Sequence, residues 1–216
     1  MASAPPVARS PIAPAEPVVV AGGWEVSGRR STAPLRLVDC TPLAKVLVRA
    51  TPGGPVARHL GVGHGRSRCD EHGTLVVGAG PDEWLLLAAP GAEAEVAARV
   101  REVAASTSPG DAPEVVSVVE LFTHGRALVR LTGAEAPRLL AKVCAVDLAD
   151  RTTPDGTAFR SSVAKVATDV VRADLHGTRS YLLHCERSSG QYLFDAILDA
   201  GREFGIEADG FTGREI

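Results

Sequence analysis

The sequence predicts an α+β fold. Two halves each read strand, helix, strand, strand, helix, and form antiparallel sheets covered by helices. Three observations predict it. The same order of elements occurs twice, once from Lys45 and once from Arg126. The strongest apolar run, Trp84-Leu85-Leu86-Leu87, has no polar face, as expected of a strand covered on both sides. Of the 216 residues, 45% are hydrophobic but only 4% are aromatic, so Ala, Val and Leu must build the core.

Ahead of the first half, residues 1–22 contain Pro5, Pro6, Pro11, Pro14 and Pro17. Proline at this density interrupts any signal-peptide core, and the stretch reads as a disordered or extended tail. The first half spans 23–105. Lys45-Val46-Leu47-Val48-Arg49 is a β-branched strand. Thr51-Pro52-Gly53-Gly54-Pro55 turns the chain into a short helix that ends at Leu60. A polar loop covers Gly61 to Gly73. Thr74 to Val77 and the Trp84 run are strands joined by a turn at Gly80-Pro81. A helix from Ala92 to Ala105 places Val96, Val100 and Val103 on one face.

A Ser/Pro/Gly-rich linker, 106–113, leads to the second half, 114–216. Ala127 to Leu131 is again a strand. Thr132 and Glu135 have the spacing of a capping box, opening a helix that runs to about Cys144. A loop rich in Asp, Thr and Pro spans Asp147 to Gly156. One strand runs through Val163 to Val171, Gly177 marks a turn, and Tyr181-Leu182-Leu183-His184 is the next strand. The closing helix, Gln191 to Phe204, carries Leu193, Ile197, Ala200 and Phe204 at helical spacing. Superposing the halves matches Val46 with Ala127 and Trp84 with Tyr181.

The net charge of -3 argues against general electrostatic binding of nucleic acid, which needs a dense basic face. No apolar run reaches the ~18–20 residues of a membrane-spanning helix. Cys40, Cys69, Cys144 and Cys185 contain no CxxC pair and read as reduced thiols, which points to the cytoplasm.

Gly80-Pro81-Asp82-Glu83-Trp84-Leu85-Leu86-Leu87 resembles the hallmark of the gamma subunit of heterotetrameric sarcosine oxidase. The second half is similar to that family at Ala127 to Gly133, Leu139 to Leu148 and Gly190 to Ala200. The family belongs to the wider class of folate-binding aminomethyltransferases, which includes the glycine-cleavage T-protein and has a duplicated α+β core. The resemblance implies a non-catalytic companion in a complex that demethylates sarcosine to glycine. That complex forms peroxide and passes the one-carbon unit to tetrahydrofolate. The implied partners are the large alpha, the beta and the small delta subunits, with no nucleic acid and no membrane. The implied cofactors of the complex are FAD, FMN, NAD and tetrahydrofolate, none of them expected on this chain. The alternatives are a stand-alone folate-dependent aminomethyltransferase and a folate-fold scaffold module.

The residues agree in lacking a G-x-G-x-x-G after an early strand. Gly61-Val62-Gly63-His64-Gly65 has no helix opening directly after it and reads as a flexible loop. No catalytic residue stands out. The candidate is Asp169, in Thr168-Asp169-Val170-Val171, which by resemblance lies where the T-protein has paired acids for folate chemistry. An acid there could hold or relay a proton. This chain offers one acid rather than two, without the Gly-Gly that precedes them, and the plainer reading is a strand-end cap. Asp147 is the second folate candidate, matching by resemblance a post-helix acid. His59, His64, Cys69, Asp70, Glu71 and His72 are metal-ligand types, but their spacing matches no standard site and the loop reads as solvated. Cys144 with His124 or His184 would make a nucleophile–base pair, though a buried structural thiol is the simpler reading. Asp82 and Glu83 are adjacent on a strand and face opposite ways, so they orient the turn or meet a partner's basic residues. Trp84 reads as core.

Overall fold

The computed structural model describes residues 6–106, 116–119, 122–213 and 216. In chain order, β1 (Ala8–Arg9), β2 (Val18–Ala21) and β3 (Trp24–Ser27) form a small sheet with β3 in the middle. After β4 (Leu35–Asp39) comes the first repeat: β5 (Ala44–Arg49), α1 (Pro55–Leu60), β6 (Ser67–Cys69), β7 (Leu75–Gly78), β8 (Glu83–Ala88) and α2 (Glu93–Ala105). Next are β9 (Ser117–Val119) and α3 (Phe122–Gly125). The second repeat is β10 (Arg126–Thr132), α4 (Ala136–Leu140), β11 (Ala158–Val163), β12 (Val166–Arg172), β13 (Ser180–Glu186) and α5 (Gly190–Ala200). Last is β14 (Ile206–Asp209).

The two main sheets run β6-β7-β8-β5-β9 and β11-β12-β13-β10-β4-β14. The strands of each repeat therefore lie in the same spatial order. Each repeat holds one strand more than the sequence reading allowed. In the first half it is β6, three polar-flanked residues without apolar alternation. In the second, the stretch from Val163 to Val171 breaks at Ala164-Lys165 into the β11–β12 hairpin. Trp84 lies opposite Val48 and Tyr181 opposite Leu131. If the two aromatics correspond, Val48 is the counterpart of Leu131. Matching Val46 with Ala127 thus slips by two residues, which keeps every side chain on its face and hides the error.

The sheets pack face to face, with helices on their outer faces, giving four layers. Side chains alternate along each strand between an inter-sheet layer and a helix-covered layer. Val46, Val48, Trp84 and Leu86 meet Val56 and Leu60 of α1 and Val96 and Val100 of α2. Val129, Leu131, Tyr181 and Leu183 meet Leu139, Leu193 and Ile197 of α4 and α5. Between the sheets, Leu75, Leu85 and Leu87 pack with Leu128, Val171 and Leu182. Trp84 is buried, and its indole N–H donates to the Val62 carbonyl at 2.7 Å, satisfying the ring's polar atom.

Three expectations change. Residues 6–21 are not a free tail: β1 runs parallel to β3, and Ile12 is 1% exposed inside the second helix-covered core. Proline forbids helix there but suits the extended path, and the apolar residues between prolines supply the contacts. Each sheet also takes a strand from the other half. β4, which precedes the first repeat, pairs with β10; β9, which follows the linker, pairs with β5. A boundary at 105–114 therefore does not separate the sheets; residues 107–115 of the linker region lie outside the described residues. The capping box does not form. Thr132 ends β10 and its hydroxyl meets Ser180 Oγ at 2.9 Å, while Glu135 pairs with Arg138.

Two predictions follow from backbone and burial. Ala164 and Lys165, at φ 48° and 68°, occupy a two-residue hairpin turn that favours Asn and Gly. Replacing them with Asn-Gly should raise stability by about 1–2 kcal/mol in urea unfolding. Lys45 is fully buried, and its Nζ donates to the carbonyls of Thr41 (2.8 Å) and Leu43 (2.9 Å). Burial pulls its pKa down to about 8. Between about 8 and the ordinary lysine value the unfolded chain binds the extra proton, so this group makes stability rise with pH across that window. Lys45→Met should lose that rise, by about 2–3 kcal/mol relative to wild type, in unfolding curves at pH 8 and 10.5.

Candidate functional site

Toward one end of the inter-sheet layer the packed leucines give way to a cavity of about 230 Å³. Leu47, Leu85, Leu128, Val171 and Leu182 form apolar walls, and Phe122 and His184 also line it. Arg49 and Arg160 line it too, with side chains 63% and 67% exposed, and so stand at its rim.

Strand register builds the polar part of this cavity. Arg160 on β11 lies directly opposite Asp169 on β12, which lies directly opposite His184 on β13. Directly opposed residues share one face of a sheet, so the three form a row across the strands. Arg160 grips the carboxylate with both arms, Nε to Oδ1 at 2.6 Å and Nη2 to Oδ2 at 3.1 Å. His184 Nδ1 lies 3.2 Å from Asp169 Oδ2. Burial alone would raise the Asp169 carboxyl, but hydrogen bonds from His184 and Arg160 outweigh it and hold the pKa at about 2. Burial also lowers the His184 pKa, against the pull of Asp169. The imidazole is therefore neutral at pH 7. An acceptor carboxylate at Nδ1 requires the ring proton there, which leaves a bare lone pair on Nε2. That nitrogen is buried and has no hydrogen-bond partner among the described residues. The Phe122 ring lies tilted against the imidazole, with centroids 5.7 Å apart.

The facing sheet repeats the device once. Arg49 and Glu83 lie opposite each other on β5 and β8 and are joined at 2.7–2.8 Å. Glu83 of the Gly-Pro turn thus faces the cavity while its neighbour Trp84 faces the helices. His64 reaches the cavity from the glycine-rich loop. That loop is clamped rather than flexible. Gly65 N–H donates to the Gly78 carbonyl and Gly78 N–H to the Arg66 carbonyl, both at 2.9 Å. A Cβ on Gly78 would lie 2.1 Å from the Gly63 carbonyl oxygen, so no larger residue fits between the segments.

The other candidates fall elsewhere. Asp147 does not line the cavity; it accepts from Ala149 N–H at 3.0 Å and Thr152 Oγ1 at 2.9 Å, holding its own turn. Those bonds, the Ala149 N–H first, lower its pKa. Asp169, in contrast, is a mid-strand residue in a charge row, not a strand-end cap. Cys144 packs in the helix-covered core, on the opposite side of the sheet from His184, and His124 stacks on Trp24 at 5.1 Å. The nucleophile–base pair is therefore not assembled. Asp70 accepts from the N–H groups of His72 (2.9 Å) and Thr74 (2.8 Å), and His64 points into the cavity instead. Among the described residues no group of three His, Cys, Asp or Glu is placed to hold a metal ion. Arg160 and the role of His184 were missed from the sequence. The available signal was a histidine inside Tyr-Leu-Leu-His-Cys, a strand buried on both faces, where a polar group needs a partner.

This arrangement binds and orients more readily than it moves protons. A carboxyl held at about 2 remains an anion near neutrality, so Asp169 is a poor general acid or base there. What the row offers is a fixed charge pair and a fixed imidazole beside the cavity's leucine and valine walls.

Comparison with known proteins places this geometry in a family. The chain is similar to sarcosine oxidase subunit gamma of Corynebacterium sp. (strain P-1), 29% identical over 194 residues, covering 85% of this chain and 88% of that protein. A chain in the structure of heterotetrameric sarcosine oxidase from Corynebacterium sp. U-96, in complex with pyrrole 2-carboxylate, superposes with a TM-score of 0.64. It is 24% identical and matches 82% of this chain and 88% of its own length. Aminomethyltransferase T of the glycine cleavage system from Bartonella henselae also superposes at 0.64, with 16% identity over 89% of this chain and 55% of its own. The two structural likenesses establish the shared fold. Among the described residues no helix is long and apolar enough to cross a membrane. The model of the GCVT N-terminal domain matches residues 65–216, well over half of the sequence, and the chain belongs to that family.

Proposed function

We propose that this chain is the gamma-type companion subunit of a cytoplasmic heterotetrameric sarcosine oxidase. It packs beside alpha, beta and delta subunits and contributes no group to the chemical step. The flavins, NAD and tetrahydrofolate of such a complex belong to the other subunits in this reading. The observation that carries it is the near full-length similarity to a sarcosine oxidase gamma subunit. The site supports it: the acid that the aminomethyltransferase resemblance singles out, Asp169, is tied up by Arg160 and His184.

In this reading the cavity of this chain does not hold tetrahydrofolate. Its volume, about 230 Å³, falls below the ~300–1,000 Å³ of typical small-molecule pockets. The acid beside it is held as an anion by Arg160 and His184. The second reading, a stand-alone folate-dependent aminomethyltransferase, rests on the family match to the GCVT N-terminal domain and on Asp169 lining the cavity.

Co-expression of the tagged chain with the other three subunits should yield all four in equal amounts after affinity and size-exclusion steps. A complex prepared without this chain should melt at lower temperature while keeping its turnover per flavin within about twofold. Assembly of a fully stable complex without it, or collapse of turnover per flavin in an otherwise intact one, would refute the companion role. Calorimetry of the chain with millimolar tetrahydrofolate should give no saturable heat; saturable heat would favour the transferase.

A further inference from the structure

We propose that the inter-sheet cavity binds a small monocarboxylate with a compact apolar body, and that Arg126 receives its carboxylate. The site lies on this chain alone. It goes beyond the companion role and does not depend on it.

Three observations carry this. The first is how the charges at the cavity are matched. Arg49, Arg126, Arg160, Glu83 and Asp169 all line it. Glu83 and Asp169 are committed to Arg49 and Arg160, which lie directly opposite them on neighbouring strands. Arg126 has no such partner within the lining. Its one carboxylate among the described residues is Glu186, directly opposite it on β13. Glu186 does not line the cavity, and its side chain is 65% exposed. These lining groups therefore carry one cation more than they match among themselves.

The second observation is where Arg126 sits. The side chains of Arg49 and Arg160 are 63% and 67% exposed, that of Arg126 only 23%. Arg126 precedes Leu128 by two positions on β10, so it points into the same inter-sheet layer. Its guanidinium carbon lies 4.9 Å from the centre of the Phe122 ring, a cation–π contact that holds it beside the apolar walls. An ion pair with a carboxylate as exposed as Glu186 is weak, because water and salt screen it. A guanidinium has N–H donors to spare beyond one such contact, and it can grip a carboxylate with two parallel bonds. An anion approaching from the cavity meets Arg126 beside leucines, where screening is less and attraction stronger.

The third observation is the remaining volume, which sets the body of the ligand. Leu47, Leu85, Leu128 and Leu182 wall it, with the Phe122 ring alongside. A dry apolar cavity of about 150 Å³ accepts benzene. One of about 230 Å³ accepts a single ring or a branched chain together with its carboxylate. A second carboxylate on the ligand would lie among leucines without a counter-ion, and an amine would be repelled by the surplus cation.

Phenylacetate and phenylacetamide test this directly, because they share a shape and differ in charge. Each is titrated into the full-length chain, followed by NMR shifts of Phe122, Leu128 and Leu182. Phenylacetate should saturate and bind about tenfold tighter than the amide. In Arg126→Gln that ratio should fall to about one. Glu186→Gln removes the exposed competitor and leaves Arg126 in place. It should tighten phenylacetate several-fold without changing phenylacetamide, and it keeps the test open should Arg126→Gln fail to fold. Equal binding of the two probes, no binding of either, or a ratio unchanged in Arg126→Gln would overturn the proposal. Tighter binding of phenethylamine than of phenylacetate would overturn it in favour of a site for cations. Displacement of phenylacetate by tetrahydrofolate would overturn it in favour of a folate pocket. Failure of the chain to join the oxidase complex would leave these titrations untouched, so the two readings fail separately.

Discussion

Two sheets pressed against each other, each with helices on its far side, impose the constraint from which the rest of this structure follows. Each central strand must be apolar in both directions. Leu85, Leu87, Leu128 and Leu182 fill the layer the sheets share, while Trp84, Leu86, Leu131 and Tyr181 fill the layers under the helices. At roughly 25 cal/mol per Å² of buried apolar surface, these paired layers are the dominant favourable contribution to folding. They are built almost wholly from aliphatic side chains. Trp84 and Tyr181 sit at matching places in the two repeats, both beneath helices.

Such a layer is intolerant of charge, and the buried charges here are all held by neighbours. Arg172, almost wholly buried, binds both oxygens of Asp174, one of Asp150 and the Thr153 carbonyl, pinning the loop after α4 to β12. Lys45 is capped by two carbonyls. Arg160 and Asp169 neutralise each other at the rim. His184 has one nitrogen matched by Asp169 and the other buried without a partner among the described residues. A buried pair of this kind contributes little net stability, because desolvation offsets attraction. It does fix geometry, and here it holds the His184 ring against Asp169.

Much of the fold could be read in the sequence because strand and helix periods are strong there. The Trp84 run, the valine stripe of α2 and the closing helix stand where their patterns put them, and the doubled order of elements gave the α+β class. The errors share a cause: they concern segments whose structure is set by distant partners. Ser67–Cys69 is a strand only because β7 offers it an edge. Residues 8–21 are ordered only because β3 and the second core receive them. Thr132 leaves its predicted cap because Ser180 lies across the ladder. The site was half legible. Asp169 was visible as an acid in an apolar strand, but its partners depend on cross-strand register, and local pattern does not carry register. Asp147 looked equivalent to it in sequence and proved to serve only its own turn.

The way the first forty residues are seated bears on how the chain is made. Ile12 and Pro11 rest against Phe194 and Gly190, Ala13 N–H donates to Gln191, Ser31 N–H to Asp209, and β4 lies beside β14. Several seats of this segment are thus supplied by residues some 178 positions later in the chain. On the ribosome the first repeat can gather its own helices and strands, but β4 must wait for β10 and β14, which are made later. Closure of the second sheet therefore follows the synthesis of β14. A nascent chain stalled before Ile206 lacks the parallel partner of β4 and the Asp209 carboxylate that receives Ser31 N–H, and so presents an open sheet edge.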